Sequence, residues 1–426
     1  MTEDFLHYLW QNGLFTDSLS TTLGEPIHII SPGYHNFNSG PDFSDARLII
    51  SNTKWAGNVE IHINSSDWFK HGHQHDESYK NVVLHVVYNH DSDANPAGMP
   101  VCELAGKINL QLFEAYQKFL QESDFVPCIG EIKNISEIDL TLWLERMLIE
   151  KLQKKADFIN EALERSQTDW EEAFYQMVAR SFGFSINSLP FEMLSRSLPY
   201  KILIKHSNSL FQTEALIFGQ AGLLSQDLID PYAQSLFSEY NFLRKKYKLV
   251  PISSSLWKFL RLRPVNFPTI RLAQFAALIH KSGGKLFDII SLPTVDEMQE
   301  AMKVKPSDYW LNHYIFDNPS TTKSGNLGKS AVYLIIINAV LPFIFVYGSS
   351  NGDDNKCHKA LSLFDQIPGE RNSTIEKWAK AGIKVQSAFQ TQALMGLKTC
   401  YCDKKKCLQC RIGNLIIKKP EFLSNI

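Results

Sequence analysis

A strict alternation of apolar and polar residues over 58–64 is the sequence feature that most constrains the fold. This period of two puts the apolar side chains on one face of a strand and the polar side chains on the other. Residues 46–50 form another apolar strand pattern just before it, and the polar triplet 51–53 lies between the two. We therefore predict a β-hairpin with a buried apolar face.

The predicted hairpin brings together three residues that can support chemistry. Asp42 lies where the first strand begins, whereas Glu60 and His62 lie on the polar face of the second strand. Two carboxylates and an imidazole at one place form an oxygen-rich cluster of the kind that hard cations require. An alternative is structural, with Asp42 capping a turn and Glu60 on the strand surface.

Changes in periodicity divide the chain into two parts. At 426 residues it exceeds the size that one hydrophobic core usually serves. Residues 1–108 follow the order helix, strand, hairpin, connector, strand, which predicts a small mixed β-sheet. Residues 109–426 have helical periodicity with proline-marked turns. The predicted fold class is α+β, with a small mixed-sheet domain followed by a large all-helical domain.

One apolar segment, residues 331–347, could be mistaken for a membrane span. It is shorter than the roughly 20 residues that cross a bilayer, and Asn338 and Pro342 interrupt it. We predict a buried core helix, with a single span as the minor alternative. The N-terminus lacks the basic and apolar regions of a signal peptide. We therefore expect a cytoplasmic protein with no membrane partner.

Histidines are concentrated in the N-terminal part. Seven of the thirteen fall between residues 35 and 90, and three alternate within 67–76 beside two acidic residues. Imidazoles and carboxylates at this density suit Zn²⁺, Mn²⁺ or Fe²⁺. We favour His62, His73 and His75 as the ligands among them. The alternative is a polar loop whose histidines only form hydrogen bonds.

The spacing of Pro41-Asp42 and Glu60-x-His62 resembles the PD-(D/E)xK nuclease superfamily. In that superfamily the Asp opens the second strand of a helix–strand–hairpin–helix–strand core, and the acid-x-Lys motif lies on the third strand. The resemblance covers roughly residues 1–105. It implies that Asp42 and Glu60 bind Mg²⁺ or Mn²⁺ and that residue 62 orients or deprotonates the attacking water.

The same resemblance implies two further roles. Glu3 on the first helix would supply another acid, as that helix does in some members. His62 stands where the superfamily usually has lysine, and a neutral imidazole can act as a base or a ligand. Lys70 or Lys80 would then supply the positive charge that the lysine normally provides.

A basic segment follows in the helical part. Residues 240–287 contain ten Lys and Arg residues, no acidic residue and interleaved aromatic residues, among them Tyr247, Trp257, Phe259 and Phe267, which is typical of a surface that contacts phosphates and stacks bases. An alternative is a solvated basic face beside an acidic neighbour, since residues 1–100 hold 12 acidic and 4 basic residues. The predicted nucleic-acid contacts are Arg244, Lys245, Lys246, Lys248, Lys258, Arg261, Arg263 and Arg271.

Four cysteines lie within eleven residues near the C-terminus. Such spacing predicts a tetrahedral Zn²⁺ site or an iron–sulfur cluster, although unligated reduced thiols are the alternative. The isolated Cys102, Cys128 and Cys357 are interpreted as packing residues. The predicted ligands are Cys400, Cys402, Cys407 and Cys410. Three of them are spaced as at the start of the iron–sulfur loop of endonuclease III-type DNA glycosylases, where Ile416 stands at the fourth ligand position.

Taken end to end, the chain resembles an uncharacterised bacterial family described as a domain of unknown function. The segments that carry the resemblance are GPDFSDA, GNVEIH, SDWFKHGH, NVVLHVVY, RPVNFPTIRLAQFAAL and YCDKKKCLQCRIG. This resemblance implies no activity, so the function must be inferred from the site.

Three functions remain open at the level of sequence. The leading hypothesis is a metal-dependent nuclease or other phosphodiesterase, with a helical domain that holds nucleic acid through the basic segment. The second is a metal-dependent hydrolase of a small substrate, with histidine ligands and Glu60 as base. The third is a nucleic-acid-binding protein whose sheet is a nuclease core that no longer cuts.

Overall fold

The computed structural model describes residues 1–94, 98–321 and 325–419, which form two compact units. One unit carries the N-terminal sheet and the other is helical, so the α+β class is confirmed. The sheet unit comprises Met1–Trp143, Lys380–Ile383 and the C-terminal segment from Leu397. The helical unit comprises Leu144–Ala379 and Lys384–Gly396.

The sheet unit begins with a helix and continues with seven strands. Its elements up to the third helix are α1 (Glu3–Asn12), β1 (Leu19–Ser20), β2 (Pro26–Ser31), β3 (Tyr34–His35), β4 (Phe43–Ile50), β5 (Thr53–Asn64), α2 (Asp67–Lys70), β6 (Val82–Asn89), β7 (Val101–Glu103) and α3 (Leu110–Gln121). Between α2 and β6 the chain forms two 3₁₀ turns, His73–His75 and Glu77–Tyr79.

The strands form one mixed sheet in the order β1-β2-β4-β5-β6-β7. In addition, β3 pairs with the first two residues of β4. The predicted hairpin is present: β4 and β5 are antiparallel, and Phe43 is opposite Val59. Strand β6 pairs with β5 in parallel, with His85 opposite Glu60. The sheet is therefore antiparallel on one side of β5 and parallel on the other.

Both faces of β5 are covered at the centre of the strand. Val59 and Ile61 are buried as the alternation predicts, but Glu60 and His62 are also only 4% and 2% exposed. The segment between β5 and β6, including α2, packs against β5 and covers the polar face. The polar face of the hairpin is therefore the floor of an enclosed site.

The sheet unit extends beyond the predicted boundary at residue 108. Phe5 of α1 is fully buried, its ring lies 5.1 Å from that of Phe113, and it stacks on Tyr116 at 5.8 Å. These aromatic contacts join α3 to the first helix, although the local sequence of α3 indicates only an amphipathic helix. Such contacts between distant segments cannot be read from periodicity.

The helical unit contains most of the remaining elements. They are α4 (Glu137–Arg165, which begins in the sheet unit), α5 (Trp170–Phe182), α6 (Ser188–Ser197), α7 (Tyr200–Ile204), α8 (Leu210–Gln220), α9 (Pro231–Tyr247), α10 (Pro268–Ser282), α11 (Val295–Met302), β8 (His313–Ile315), β9 (Asn318–Pro319), α12 (Lys329–Ile335), α13 (Leu341–Ser350), α14 (Asp354–Gln366), α15 (Ser373–Lys380), α16 (Ala388–Leu397) and, in the sheet unit, α17 (Arg411–Ile417). The short ribbon β8–β9 is an addition to the predicted all-helical pattern.

The apolar segment forms one long helix, in which a π-helical turn joins α12 to α13. This helix, Lys329–Ser350, is long and apolar enough to cross a membrane, but 78% of its most apolar window is buried inside the structure. Its apolar side chains, including the fully buried Phe343, are packed against protein. The prediction of a buried core helix is confirmed.

Candidate metal centre

The hairpin brings Asp42 and Glu60 together through reciprocal hydrogen bonds. The backbone N–H of Asp42 donates to Oε2 of Glu60 at 3.1 Å, and the N–H of Ile61 donates to Oδ2 of Asp42 at 2.9 Å. The carboxylate of Glu60 is thus held by the backbone of Asp42, and the carboxylate of Asp42 is held by the backbone of the residue after Glu60. One oxygen of each group has a fixed partner, and the predicted convergence of the two acids is confirmed by these contacts.

Three potential ligand atoms, one of them an oxygen of Glu60, lie around Nε2 of His62. Nε2 of His62 lies 3.4 Å from Oε1 of Glu60, 3.2 Å from Nδ1 of His71 and 3.3 Å from Nε2 of His73. Nε2 of His73 lies 3.3 Å from the same Oε1. Within the described residues, the three histidines have ligand atoms that all lie within 4.8 Å of one another. We call Glu60, His62, His71 and His73 the histidine cluster.

Hydrogen bonding alone does not explain the histidine cluster. A neutral imidazole nitrogen is either one donor or one acceptor, yet Nε2 of His62 faces three partners at once. Four atoms at the corners of a tetrahedron and about 2.0–2.1 Å from an ion, the usual Zn–N distance, stand about 3.3–3.4 Å apart. The three separations among Nε2 of His62, Nε2 of His73 and Oε1 of Glu60, 3.3–3.4 Å, match one face of that tetrahedron, and Nδ1 of His71 lies 3.2 Å from the first of these atoms. These side chains can therefore hold one divalent cation.

His85 holds the ring of His62 from behind. Its Nε2 lies 2.9 Å from Nδ1 of His62, and only 1% of the residue is exposed. Burial, followed by the charge of His62, lowers the pKa of His85 to about 3, so a neutral His85 can accept the Nδ1–H of His62. That tautomer leaves the lone pair of Nε2 of His62 directed at the cluster. A hydrogen bond of this kind orients a metal-binding histidine.

The loop after α2 determines which histidines reach the cluster. His71 ends α2, and Gly72 follows with a φ of 76°, a left-handed conformation that reverses the chain. The reversal brings both His71 and His73 to His62. His75 ends the following 3₁₀ turn and is exposed, because residues two apart on such a turn project in different directions. The structure therefore places His71 at the cluster, where His75 was predicted.

Aromatic rings position the second histidine of the loop. Tyr79 stacks on His73 with ring centroids 3.9 Å apart, and Trp68 meets His73 edge-on at 5.4 Å. Trp68 is buried and also packs 5.2 Å from His85. The loop that carries His73 is thus packed on both sides, which restricts the imidazole to one orientation.

Burial and neighbouring charges shift the protonation of the cluster. Burial, followed by the charge of Asp42, raises the pKa of Glu60 to about 9. Burial lowers the pKa of His62 to about 4, with the charges of His71 and His73 acting in the same direction. Burial likewise lowers the pKa of His73. Crowded acidic and basic groups that are all driven toward their neutral forms are typical of functional sites.

Helix α1 contributes two residues that lie one helical turn apart, Glu3 and His7. Nε2 of His7 lies 3.1 Å from Oδ2 of Asp42. Burial, followed by the charge of Asp42, raises the pKa of Glu3, so this acid is also near the pair. The sequence analysis did not identify His7; its i, i+4 spacing from Glu3 is the signal that could have done so, since such residues share one helix face.

The two lysines considered as substitutes for the missing charge lie outside the cluster. Lys70 pairs with Asp67 at 2.7 Å and Lys80 pairs with Glu77 at 2.5 Å. Both lysine side chains are more than half exposed, and each is held by a carboxylate three residues away. The expectation that either would replace the lysine of the superfamily motif was wrong, because local i, i+3 pairing holds both side chains.

The predicted basic residues divide into an exposed set and one buried member. Arg271 is only 9% exposed, because it lies near the start of α10, where Pro268 to Ile279 are all buried. Trp257, one of the predicted stacking residues, is buried and donates its indole N–H to the carbonyl of Ala221. The residues that remain exposed are Arg244, Lys245, Lys246, Lys248, Lys258, Arg261 and Arg263.

The C-terminal cysteines lie in the sheet unit, and none of the four is part of a disulfide bond. Cys407 and Cys410 are buried, as is Cys128, whereas Cys400 and Cys402 are half-buried. Cys400 and Cys402 are two residues apart on the π-helical turn Lys398–Cys402. Side chains with this spacing project from different sides of a helix.

Comparison with known proteins identified a family but no activity. The model of the family described as "Protein of unknown function (DUF2851)" matches residues 3–373 of the chain. No curated protein and no solved structure matched.

Proposed function

We propose that this chain, which belongs to the DUF2851 family of proteins of unknown function, is a metal-dependent phosphodiesterase that hydrolyses nucleic acid. The observation that carries the proposal is the histidine cluster, in which three histidine ligand atoms lie within 4.8 Å of one another and Oε1 of Glu60 lies 3.3–3.4 Å from two of them, beside Asp42. Three imidazoles and one carboxylate suit Mn²⁺ or Zn²⁺ better than Mg²⁺, which prefers oxygen ligands.

The proposed chemistry uses the ion and the acids around it. An ion bound by the cluster would lower the pKa of a coordinated water and polarise a phosphoryl oxygen. The water oxygen forms a bond to phosphorus, the bond from phosphorus to the leaving oxygen breaks, and a carboxylate takes the proton of the water. Asp42 is the candidate for that carboxylate, since it lies beside the cluster, accepts the N–H of Ile61 and has its Oδ2 3.1 Å from Nε2 of His7.

The order of the elements supports the nuclease assignment over other hydrolases. Helix α1, strand β2, the β4–β5 hairpin, the α2 segment and the parallel strand β6 follow one another as in the PD-(D/E)xK core described above. Asp42 immediately precedes β4, and Glu60 lies in β5. This likeness is one of connectivity and motif position, and it supports the proposal by analogy.

The basic segment supports nucleic acid as the substrate. Seven of its eight predicted contact residues are exposed, and three of them, Arg244 to Lys246, form the last turn of α9. Exposed cations of this density bind phosphate backbones without reading sequence. Tyr247 lies under Lys246, with the ammonium 5.1 Å from the ring centroid. A basic patch next to an aromatic ring is a suitable contact for a single strand.

A second candidate function is a zinc-type hydrolase of a small substrate. The observation that favours it is the number of imidazoles in the histidine cluster, since three protein ligands and an open position are typical of catalytic zinc. His71 is the exposed member of the cluster and marks the side from which a substrate would enter. This candidate predicts hydrolysis of small esters without salt-sensitive binding of nucleic acid.

The test is cleavage of single- and double-stranded DNA and RNA by purified protein with Mn²⁺, Zn²⁺ or Mg²⁺. We expect Asp42→Ala, Glu60→Ala and His73→Ala to lose at least about 100-fold in rate, more than the 10–100-fold typical of groups that only orient a ligand. Glu77→Ala is the matched control, because its carboxylate is 83% exposed on the same loop and pairs only with Lys80.

Unchanged cleavage by all three site variants would contradict the proposal. Cleavage restricted to small phosphodiesters or esters would favour the second candidate. Binding that weakens steeply with salt, without turnover under any of the three metals, would favour the non-catalytic alternative.

A further inference from the structure

A buried arginine in the helical unit has no counter-ion. The guanidinium of Arg271 donates to Oε1 of Gln274 at 2.8 Å and to Oδ1 of Asn266 at 2.6 Å, while its buried Nε has no partner. Across the described part of the chain, no carboxylate forms an ion pair with this cation, although the residue is only 9% exposed. A buried charge without a counter-ion is unfavourable, so an anion that binds there is strongly favoured.

Neutral amide side chains hold the guanidinium in place without neutralising it. Gln274 is 2% exposed, and its Nε2 donates to the backbone carbonyl of Gly325 at 3.4 Å, just before α12. Asn266 ends a 3₁₀ turn, and its N–H donates to the carbonyl of Arg263 at 2.8 Å. A guanidinium has more N–H groups than the two that these amide oxygens accept. Arg271 is therefore oriented but still able to donate to a ligand.

Arg271 lines a cavity of about 500 Å³ that is otherwise mainly apolar. Phe182, Phe191, Leu262 and Leu334 form part of its wall. The two phenylalanines are fully buried, with ring centroids 6.4 Å apart, so this side of the wall belongs to the packed core. A cavity of this size, with apolar walls and one convergent charged group, is the usual form of a small-molecule site.

The cavity has a mouth at the protein surface, bordered by a fixed loop. Ile186 and Val265 line the cavity and are 43% and 45% exposed, so they lie at its mouth. The loop that carries Val265 is held by Asn187, whose side-chain amide donates to the carbonyl of Lys258 and accepts its N–H, both at 2.9 Å. A ligand therefore enters a site whose walls are already in position.

The charges around the mouth favour an anion. None of the described lining residues is acidic, and residues 240–287 contain no acidic residue at all. Arg261 and Arg263 are exposed on either side of the lining residue Leu262. Cations around a concave site raise the local concentration of anions. The buried guanidinium and the surface charges thus select ligands of the same sign.

We infer that this cavity binds a small organic anion with an apolar body, whose phosphate or carboxylate group pairs with Arg271. The paired N–H donors of a guanidinium match the oxygens of either group. The guanidinium carbon lies 4.6 Å from the centroid of the Phe184 ring, and this ring and the buried phenylalanines of the wall suit an aromatic body. The site lies in the helical unit and does not depend on the proposed hydrolysis.

The test is calorimetric titration of the full chain with probes that separate the anionic group from the apolar body. Phenyl phosphate and benzoate carry both, phenol carries only the ring, and inorganic phosphate and acetate carry only the charge. We expect at least one aromatic anion to bind at least about 10-fold more tightly than phenol, the factor that one charge-assisted hydrogen bond supplies. The same anion should bind more tightly than its counterpart without a ring, and the tighter of the two aromatic anions identifies the preferred group.

Three variants locate the binding. Arg271→Gln should lose the preference for the anion over phenol, because it keeps a polar side chain without the charge. Arg244→Gln, which replaces an exposed arginine of the same unit, should retain that preference. Ala331→Phe adds a ring at a residue that lines the cavity and should abolish binding of the aromatic anion, although Arg271 is unchanged.

A second cavity of about 580 Å³ adjoins the first and is the alternative location for an anion. Phe184 and Leu334 line both cavities, whereas Lys155 and Arg180 line only the second. Arg180 already pairs with the carboxylate of Glu192. Lys155→Met should therefore leave the affinity for the aromatic anion unchanged.

The comparison among probes needs only the wild-type chain, so it decides the matter even if Arg271→Gln does not fold. Binding of neither aromatic anion, or binding of phenol as tight as that of both, would overturn the inference. Equal affinity for the aromatic anions and for their counterparts without a ring would overturn it as well. Loss of the preference in Lys155→Met with retention in Arg271→Gln would place the anion in the second cavity and contradict the assignment.

Discussion

At the scale of single residues, two roles are proposed for His62. It is either a metal ligand or a substitute for the lysine of the PD-(D/E)xK motif. Both of its ring nitrogens are engaged, Nδ1 with His85 and Nε2 with the histidine cluster. A residue that stood in for the lysine of the PD-(D/E)xK motif would instead direct a proton donor toward the substrate. The observed contacts favour a role for His62 as a metal ligand.

Replacement of His62 by lysine therefore separates the two roles. We expect His62→Lys to lose bound metal and at least about 100-fold of the activity, because an ammonium group has no lone pair for the ion and repels it. The measurement combines metal analysis with the cleavage assay. His28→Lys, at an exposed histidine of β2, is the control and should behave as wild type. Full activity in His62→Lys would show that residue 62 has the role of the lysine in the PD-(D/E)xK motif and is not a metal ligand.

Lys155 provides a prediction for pH dependence. It lies in α4 and donates to Oδ1 of Asn338 at 3.0 Å and to its backbone carbonyl at 3.2 Å. Burial, followed by the charge of Lys151, lowers its pKa from 10.5 to about 7. Between these values the unfolded chain binds more protons than the folded chain. The free energy of unfolding therefore rises with pH over this range, and below about pH 7 that gain is absent.

We expect the wild type to gain stability relative to Lys155→Met by up to about 1.4 kcal/mol per pH unit between pH 7 and 10. Urea denaturation at several pH values measures the difference. Lys245→Met, at an exposed lysine of α9, should run parallel to wild type. The same slope in wild type and Lys155→Met would show that Lys155 is protonated in the folded state.

At the scale of elements, the junction of β5 and β6 determines whether the site forms. Strand β6 carries His85 opposite Glu60, and the two strands approach closely at Gly57. A Cβ at Gly57 would overlap Cγ1 of Val83 and lie 2.6 Å from the backbone carbonyl oxygen of Asn81. Glycine is therefore required here, because the space between the two strands is too small for a side chain.

Gly57→Ala should destabilise the sheet unit by about 1–3 kcal/mol, the usual cost of overpacking. It should also weaken metal binding, because a shift of β6 moves His85 away from His62. Thermal unfolding and metal titration measure the two effects. Gly130→Ala adds a methyl group where no atom lies within 4 Å and should change neither. Equal stability of the two variants would mean that the strands separate at no cost.

At the scale of the whole molecule, the histidine cluster and the four C-terminal cysteines predicted as metal ligands all lie in the sheet unit. A metal that binds only the folded chain stabilises it by RT ln(1 + [L]/Kd), or about 2.7 kcal/mol at a hundredfold excess over Kd. The helical unit contains neither the histidine cluster nor the four predicted cysteine ligands. Metal removal should therefore act on one unit selectively.

Hydrogen exchange with and without a chelator tests this selectivity. We expect faster exchange after metal removal in residues 60–75 and 400–410, where the proposed ligands lie. Exchange in α10 should stay unchanged, which makes that helix the internal control. Equal acceleration in α10, or no change in either ligand segment, would contradict the assignment of both centres.

Local patterns in the sequence predicted much of the architecture. The alternation in 58–64 predicted the hairpin, the juxtaposition of Asp42 and Glu60 and the burial of Val59 and Ile61, because strand geometry depends on near neighbours. Helical periodicity over residues 110–120 and 138–163 likewise predicted α3 and α4 to within a few residues. Composition and length were sufficient to interpret residues 331–347 as a core helix.

The choice among equivalent residues was decided only by the tertiary structure. His71 rather than His75 reaches His62 because Gly72 reverses the chain in a left-handed conformation. Arg271 is buried because α10 lies in the core of the helical unit, whereas its basic neighbours are exposed. Lys405 reaches the backbone carbonyls of Leu120 and Glu122 because distant segments pack together. Sequence spacing reports which groups are near along the chain, but packing between elements determines which of them share a site.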